Sequence, residues 1–155
     1  DSVERIGSQT FWLCYRLKEI SFKGCTFRGN LWEIDNLSES LNTIISMLES
    51  NDFSAKFEPE IRYPFLLNYY NRTRNQNALQ AIRNDISEIV PYAIEQSDIE
   101  SIQALTETDN LITQEYIDFF MELAIEKGQH EIYVMLLNYK SEKIGFEDIA
   151  NQFKL

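Results

Sequence analysis

The chain is poor in the residues on which several protein classes depend. Its 155 residues include two cysteines, five glycines, three prolines and one histidine. Two cysteines, Cys14 and Cys25, are too few to staple a small domain, which argues against a disulfide scaffold. The low glycine and proline content excludes a collagen-like or low-complexity chain. No apolar run approaches the ~20 residues needed to span a bilayer, and no basic-then-apolar leader opens the sequence. Large apolar groups, by contrast, are plentiful. Hydrophobic residues make up 44% and aromatic residues 13%, with 10 Phe, 8 Tyr and 2 Trp. A chain of this length can bury roughly 68–70% of its unfolded surface. The expectation is a soluble, cytoplasmic, globular chain folding as a single domain over residues 1–155. Its start at Asp1 rather than Met is that expected of a processed or truncated chain.

Charge is unevenly spread. Residues 1–83 carry 10 acids and 10 bases, whereas residues 84–155 carry 15 acids and 4 bases and so hold the whole net charge of −11. Phosphate binding needs Lys and Arg to displace counterions, so direct binding of nucleic acid is not expected. The acidic half reads either as solvated helix faces or as a docking surface for a basic partner.

From residue 38 onward the apolar spacing is helical. Leu41, Ile44, Ile45 and Leu48 fall at i, i+3, i+4 and i+7, behind Ser38 as N-cap. Pro64 biases Tyr63 away from helical geometry, so the next helix is predicted from Pro64 to about Asn71. Residues 1–60 form a less regular N-terminal segment. Within it the stretch Ile20 to Phe27 reads as a short strand pair, an irregular turn or a loop.

The strongest signal is an internal repeat. Ala93-Ile94-Glu95 recurs as Ala124-Ile125-Glu126 at an offset of 31 residues, with Glu100 matching Glu131 and Leu105 matching Leu136. A weaker copy lies upstream, where Tyr69 and Gln80-Ala81-Ile82 align with Tyr92 and Gln103-Ala104-Leu105 at an offset of 23. Each copy reads as helix, turn, helix. The turns are Arg74-Asn75, Ser97-Asp98 and Gly128-Gln129, and Asn75 and Asp98 are suited to cap the helix that follows. Thr106 to Thr113 reads as a polar connector, and Thr113 as the start of another helix. One hairpin cannot bury both of its faces, so neighbours must stack. Residues 141–155 are expected to form a short capping helix over the last repeat.

Met121 to Leu137 resembles the two-helix core of an ankyrin repeat: an Ala-containing first helix ending at Gly128, His130 following, and Glu131-Ile132 leading into a Leu-rich second helix. The 31-residue offset is close to that family's ~33-residue period. No Thr-Pro-Leu-His box opens any copy, and Asn138-Tyr139-Lys140 stands where the family's hairpin would begin. The resemblance therefore covers residues 64–140 at most. It implies an all-α fold, an ankyrin-like α-solenoid of stacked helical hairpins.

Residues with chemical potential are sparse. His130 has no second His or adjacent Cys, so a structural role at a turn outweighs a metal ligand or general base. Cys14 and Cys25 lack a CxxC pattern and read as small buried groups. The carboxylate pairs Glu115 with Asp118 and Glu147 with Asp148 would need unequal burial to act as acid and base. No phosphate-binding or calcium-loop motif is present. Accordingly no cofactor or metal is expected. The aromatic set Tyr63, Phe65, Tyr69 and Tyr70 beside Arg72 and Arg74 is the surface candidate. Tyr70, Arg72 and Arg74 are the expected contacts for a protein partner, because Tyr and Arg dominate binding hot spots. The alternative puts the aromatics in the core and the arginines in solvent. The function expected is a non-catalytic protein–protein interaction module or scaffold. A second possibility is an acidic inhibitor that mimics nucleic acid and binds a basic enzyme.

Overall fold

The alternation around Gly24 does produce strands. Glu19–Phe22 (β1) and Cys25–Arg28 (β2) pair antiparallel, with Ile20 opposite Phe27 and Phe22 opposite Cys25. Lys23 and Gly24 both have positive φ, the geometry of a tight hairpin turn. Phe22, Cys25 and Phe27 are buried on one face. On the other, Arg28 Nε bonds Glu19 at 2.8 Å and the hydroxyls of Ser21 and Thr26 lie 3.0 Å apart. The purely helical expectation is thus corrected by one two-stranded ribbon, whose strands are too short for periodicity alone to identify. The computed structural model describes residues 5–7, 11 and 17–144, and 67% of the described residues are helical. The expected capping segment beyond Ile144 lies outside the described residues, as do Trp12, Leu13, Cys14 and Tyr15.

Two compact units divide at Ile82–Arg83. The first carries 10 acids and 9 bases and the second 15 acids and 5 bases, so the structural boundary follows the charge boundary.

The first unit holds the ribbon, a 3₁₀ turn at Leu31–Glu33, and helices α1 (Leu37–Ser50) and α2 (Pro59–Thr73). Helix α3 (Gln76–Asn84) begins in this unit and its last two residues belong to the second. Leu41, Ile44 and Ile45 face the core as their spacing requires. Ser38, however, lies inside α1 and is buried; the helix begins behind Asn36, which adopts left-handed geometry. Asn tolerates that region, and it starts the helix two residues earlier than a cap at Ser38 would.

Helix α2 begins at Pro59, not at Pro64. Pro64 occupies its sixth position, where it removes the hydrogen bond to the Glu60 carbonyl. Glu60 is exposed, so water can satisfy that carbonyl, while Ile61, Phe65, Leu66 and Leu67 bury the helix on both sides of the defect. Tertiary burial therefore overrides the local bias of Tyr63. Pro91 occupies the sixth position of α4 in the same way, with exposed Ser87 carrying the freed carbonyl. Helix α2 ends at Arg74 in left-handed geometry, and the Asn75 carboxamide oxygen then accepts from Asn77 N at 2.9 Å and Ala78 N at 3.0 Å, capping α3 as expected.

The second unit is built from α4 (Ile86–Glu95), α5 (Ile99–Glu107), α6 (Gln114–Glu126) and α7 (His130–Tyr139), ending in a π-helical turn at Lys140–Ile144. Within it α4 packs on α5 and α6 on α7; across the pairs, α4 packs on α6 and α5 on α7. The two turns match bond for bond at the 31-residue offset. Asp98 N reaches Ala93 O at 2.9 Å and Gln129 N reaches Ala124 O at 2.8 Å; Ser97 N reaches Ile94 O at 3.1 Å and Gly128 N reaches Ile125 O at 3.0 Å. Ser97 and Gly128 both have positive φ, and Ala93 and Ala124 are both fully buried. The upstream copy departs from this scheme, since Arg74 N instead bonds Tyr70 O within the end of α2.

Asp98 caps α5 as expected, accepting from Ser101 N at 3.1 Å and from the Ser101 hydroxyl at 2.6 Å. Asp98→Ala should lower stability by about 1 kcal/mol, read from the midpoint of urea unfolding. The segment between α5 and α6 is less polar inside than its composition suggests. Leu111 and Ile112 are buried, and the Tyr139 hydroxyl bonds both the N–H (3.2 Å) and the C=O (2.9 Å) of Ile112. Tyr139→Phe would orphan both backbone groups and should cost about 1–3 kcal/mol, measurable by the same unfolding titration.

Candidate functional site

Each residue expected to contact a partner in the first unit has a role within the fold. Tyr70 is buried, with 4% of its surface exposed, and Phe65 is fully buried. Phe65 forms an aromatic cluster with Phe53 and half-buried Tyr69, ring centroids 5.2–6.5 Å apart. Arg72 and Arg74 are exposed. The Arg72 guanidinium lies 5.8 Å from the Tyr69 ring, donates to Asn68 Oδ1 at 2.8 Å and to Lys23 O at 3.4 Å, and so ties the ribbon's turn to α2. Arg74 lies 5.2 Å from the Tyr70 ring and donates to the carbonyls of Tyr70 (3.5 Å) and Asn71 (3.4 Å). A cation at these terminal carbonyls complements the helix dipole. The three residues share the end of α2, but Tyr70 presents its ring to the core and offers a partner no open face.

Arg62, by contrast, is a charged residue in the interior. It is almost fully buried in α2 and donates from Nε to Ala55 O at 3.0 Å. Nothing in the spacing of α2 marks it, because an arginine on a helix is by default solvated.

The single histidine, His130, is exposed as the first residue of α7, and Gln129 rather than His130 stands at the N-cap. Cys25 is buried, with its thiol 3.8 Å from Pro64 O. Glu115 and Asp118 are both exposed on α6, and Asp118 pairs with Lys140 at 2.6 Å; Glu147 and Asp148 lie outside the described residues. Among the described residues no three His, Cys, Asp or Glu side chains gather as metal ligands, and no helix is long and apolar enough to cross a membrane.

A cavity of about 410 Å³ opens in the second unit among Asp109, Asn110, Ile112, Thr113, Tyr139 and Lys143. Lys143 donates to Asp109 at 2.8 Å and to Thr106 O at 3.1 Å. The hydrogen bond from Lys143, then its charge, hold the Asp109 carboxyl below the usual carboxylate range. The stabilisation is present above the unfolded pKa and is lost as pH falls through the lowered folded value.

The surface of α6 and α7 is more informative. Where Ile94 is 0% exposed, its repeat counterpart Ile125 is 56% exposed. Val90 and Ile102 are fully buried, whereas their counterparts Met121 and Tyr133 are only partly so. Thr106 is matched by Leu137, 39% exposed. At 100° per residue, Met121 and Ile125 occupy one flank of α6 and Tyr133 and Leu137 one flank of α7. The Asp118–Lys140 ion pair bridges the two helices on that side. Positions that are buried on α4 and α5 are thus exposed or partly exposed at the matching places of α6 and α7. Along α6, Glu115, Asp118, Glu122 and Glu126 fall three, four and four residues apart and are all exposed, in a helix with no Lys or Arg.

Comparison with protein-family models, curated proteins and solved structures finds no match to the chain.

Proposed function

We propose that the chain is a non-catalytic protein-interaction module whose second unit is a short, ankyrin-like stack of helical hairpins. One observation carries the reading: two hairpins, α4–α5 and α6–α7, share turn geometry at a 31-residue offset and pack first helix on first helix and second on second. Such stacks present extended surfaces suited to macromolecules, because each hairpin adds area without closing the array. The Gln129 side chain bonds the Ser97 hydroxyl and Lys127 lies 4.0 Å from Glu95, so equivalent turns sit side by side. The partner of such a surface is a protein. Direct binding to nucleic acid is disfavoured by the acidity of the second unit.

The test is covalent cross-linking of the purified chain in a cell extract, followed by identification of the linked residues. The expected outcome is a retained protein with cross-links into residues 83–144. Retention no greater than that of an unrelated protein of equal charge would reject the reading. A second reading, an acidic mimic of nucleic acid, draws on the carboxylate row of α6. It requires binding to a basic enzyme that collapses between low and physiological salt, and binding insensitive to salt would dismiss it.

A further inference from the structure

We infer that the open face of α6 and α7 is a docking site for a basic amphipathic helix. This rests on the interaction-module reading and specifies its partner.

The preceding hairpin shows what the face is shaped to accept. The equivalent residues on α4 and α5, Val90, Ile94 and Ile102, are fully buried, in helices against which α6 and α7 pack, α6 on α4 and α7 on α5. The stacking geometry is repeated in the second hairpin, so Met121, Ile125, Tyr133 and Leu137 form a surface of the same pattern, suited to receive a helix lying along them. A helix docks on such a surface through apolar anchors at i, i+3, i+4 and i+7.

Charge selects the occupant. The exposed row Glu115, Asp118, Glu122 and Glu126 runs beside Met121 and Ile125 for about 16 Å, roughly three turns. Lys140 occupies one end of the face, already paired with Asp118. A helix with an acidic flank would place like charges along the row, whereas Lys or Arg on that flank would meet its exposed carboxylates. The Coulomb contribution is screened, so apolar contact supplies the anchor and the charges set orientation and choice of partner.

The probe is a synthetic helical peptide of about 18 residues, with Leu at i, i+3, i+4 and i+7 and Lys along one flank. Binding to the full chain is followed by fluorescence anisotropy. The peptide should bind, and a version with Glu in place of Lys, or a scrambled version of the same composition, should not. Ile125→Asp and Leu137→Asp should each weaken binding about tenfold or more. Val134→Asp adds the same charge at an exposed site on α7, turned about 100° from Tyr133 and about 60° from Leu137, and should leave binding within about twofold. Because Ile125, Leu137 and Val134 are exposed, the variants should keep the circular dichroism and melting profile of the parent.

Equal binding of the scrambled peptide would overturn the assignment, as would loss of affinity at Val134→Asp alone. A concentration-dependent dimer broken by Ile125→Asp would place a second copy on the face and also overturn it. So would magnetisation transfer from the Ile125 and Leu137 methyls to residues 145–155. If a cellular protein were retained equally by the parent chain and by Ile125→Asp/Leu137→Asp, the interaction-module reading would stand and this site would fall.

Discussion

Ile94→Asp should cost about 3–5 kcal/mol or prevent folding of the second unit, whereas Ile125→Asp should stay within about 0.5 kcal/mol of the parent. The two isoleucines hold the same place in the repeat, each one residue beyond a fully buried alanine, and each carbonyl accepts the same turn hydrogen bond. Only their surroundings differ. Ile94 is sealed, and a carboxylate there has no partner to offset its desolvation. Ile125 is open to water and an aspartate there stays hydrated. Urea unfolding of both variants, followed by far-UV circular dichroism, checks the pair. Equal destabilisation would mean that Ile125 is covered in solution, and equal tolerance would mean that α4 is not buried by its neighbours.

A second contrast uses adjacent residues. Phe120→Ala should destabilise by about 3–5 kcal/mol and Phe119→Ala by well under 1 kcal/mol. Phe120 is fully buried, with the Tyr116 ring stacked at 5.9 Å, so truncation leaves a cavity between α6 and its neighbours. Phe119 is 51% exposed and its ring is tilted at 51° to that of Phe120 at a centroid distance of 5.8 Å, so much of its area is already in water. Thermal melts of the two variants read the difference directly. The experiment also tests the rotational phase of α6, on which the open face depends: a phase error of one residue would exchange the two outcomes.

The repeat was legible because it is written in local terms. Ala93 and Ala124 have matching neighbours, and a turn needs only a short polar stretch with one residue able to take positive φ, which Ser97 and Gly128 supply. The caps at Asn75 and Asp98 were legible for the same reason, since a short acceptor two or three residues ahead of a free N–H is a local signal. What was not legible depended on distant groups. Pro64 looks like a helix start, yet α2 runs through it because Phe65, Leu66 and Leu67 are buried. Ser38 looks like a cap, yet it is buried inside a helix begun by Asn36. Strands of four residues are too brief for the alternation around Gly24 to single out the strand pair from the irregular turn or loop that Ile20 to Phe27 equally allows. Tyr70, Arg72 and Arg74 are grouped by composition, which cannot show that the Tyr70 ring is buried or that Arg74 bonds the last carbonyls of α2. Burial separates the open face of α6 and α7 from its covered counterpart; in the sequence, Ile94 and Ile125 are indistinguishable.

The burial of Cys25 against α2 makes its thiol a reporter. At 2% exposure the sulfur is inaccessible to an aqueous disulfide reagent while β2 rests on the helix. In a Cys14→Ser background, the rate of thiol modification would therefore count how often the ribbon lifts away. A rate that levels off at high reagent concentration would give the opening rate constant itself, and the same measurement in urea would show whether the ribbon detaches alone or only when α1 and α2 melt.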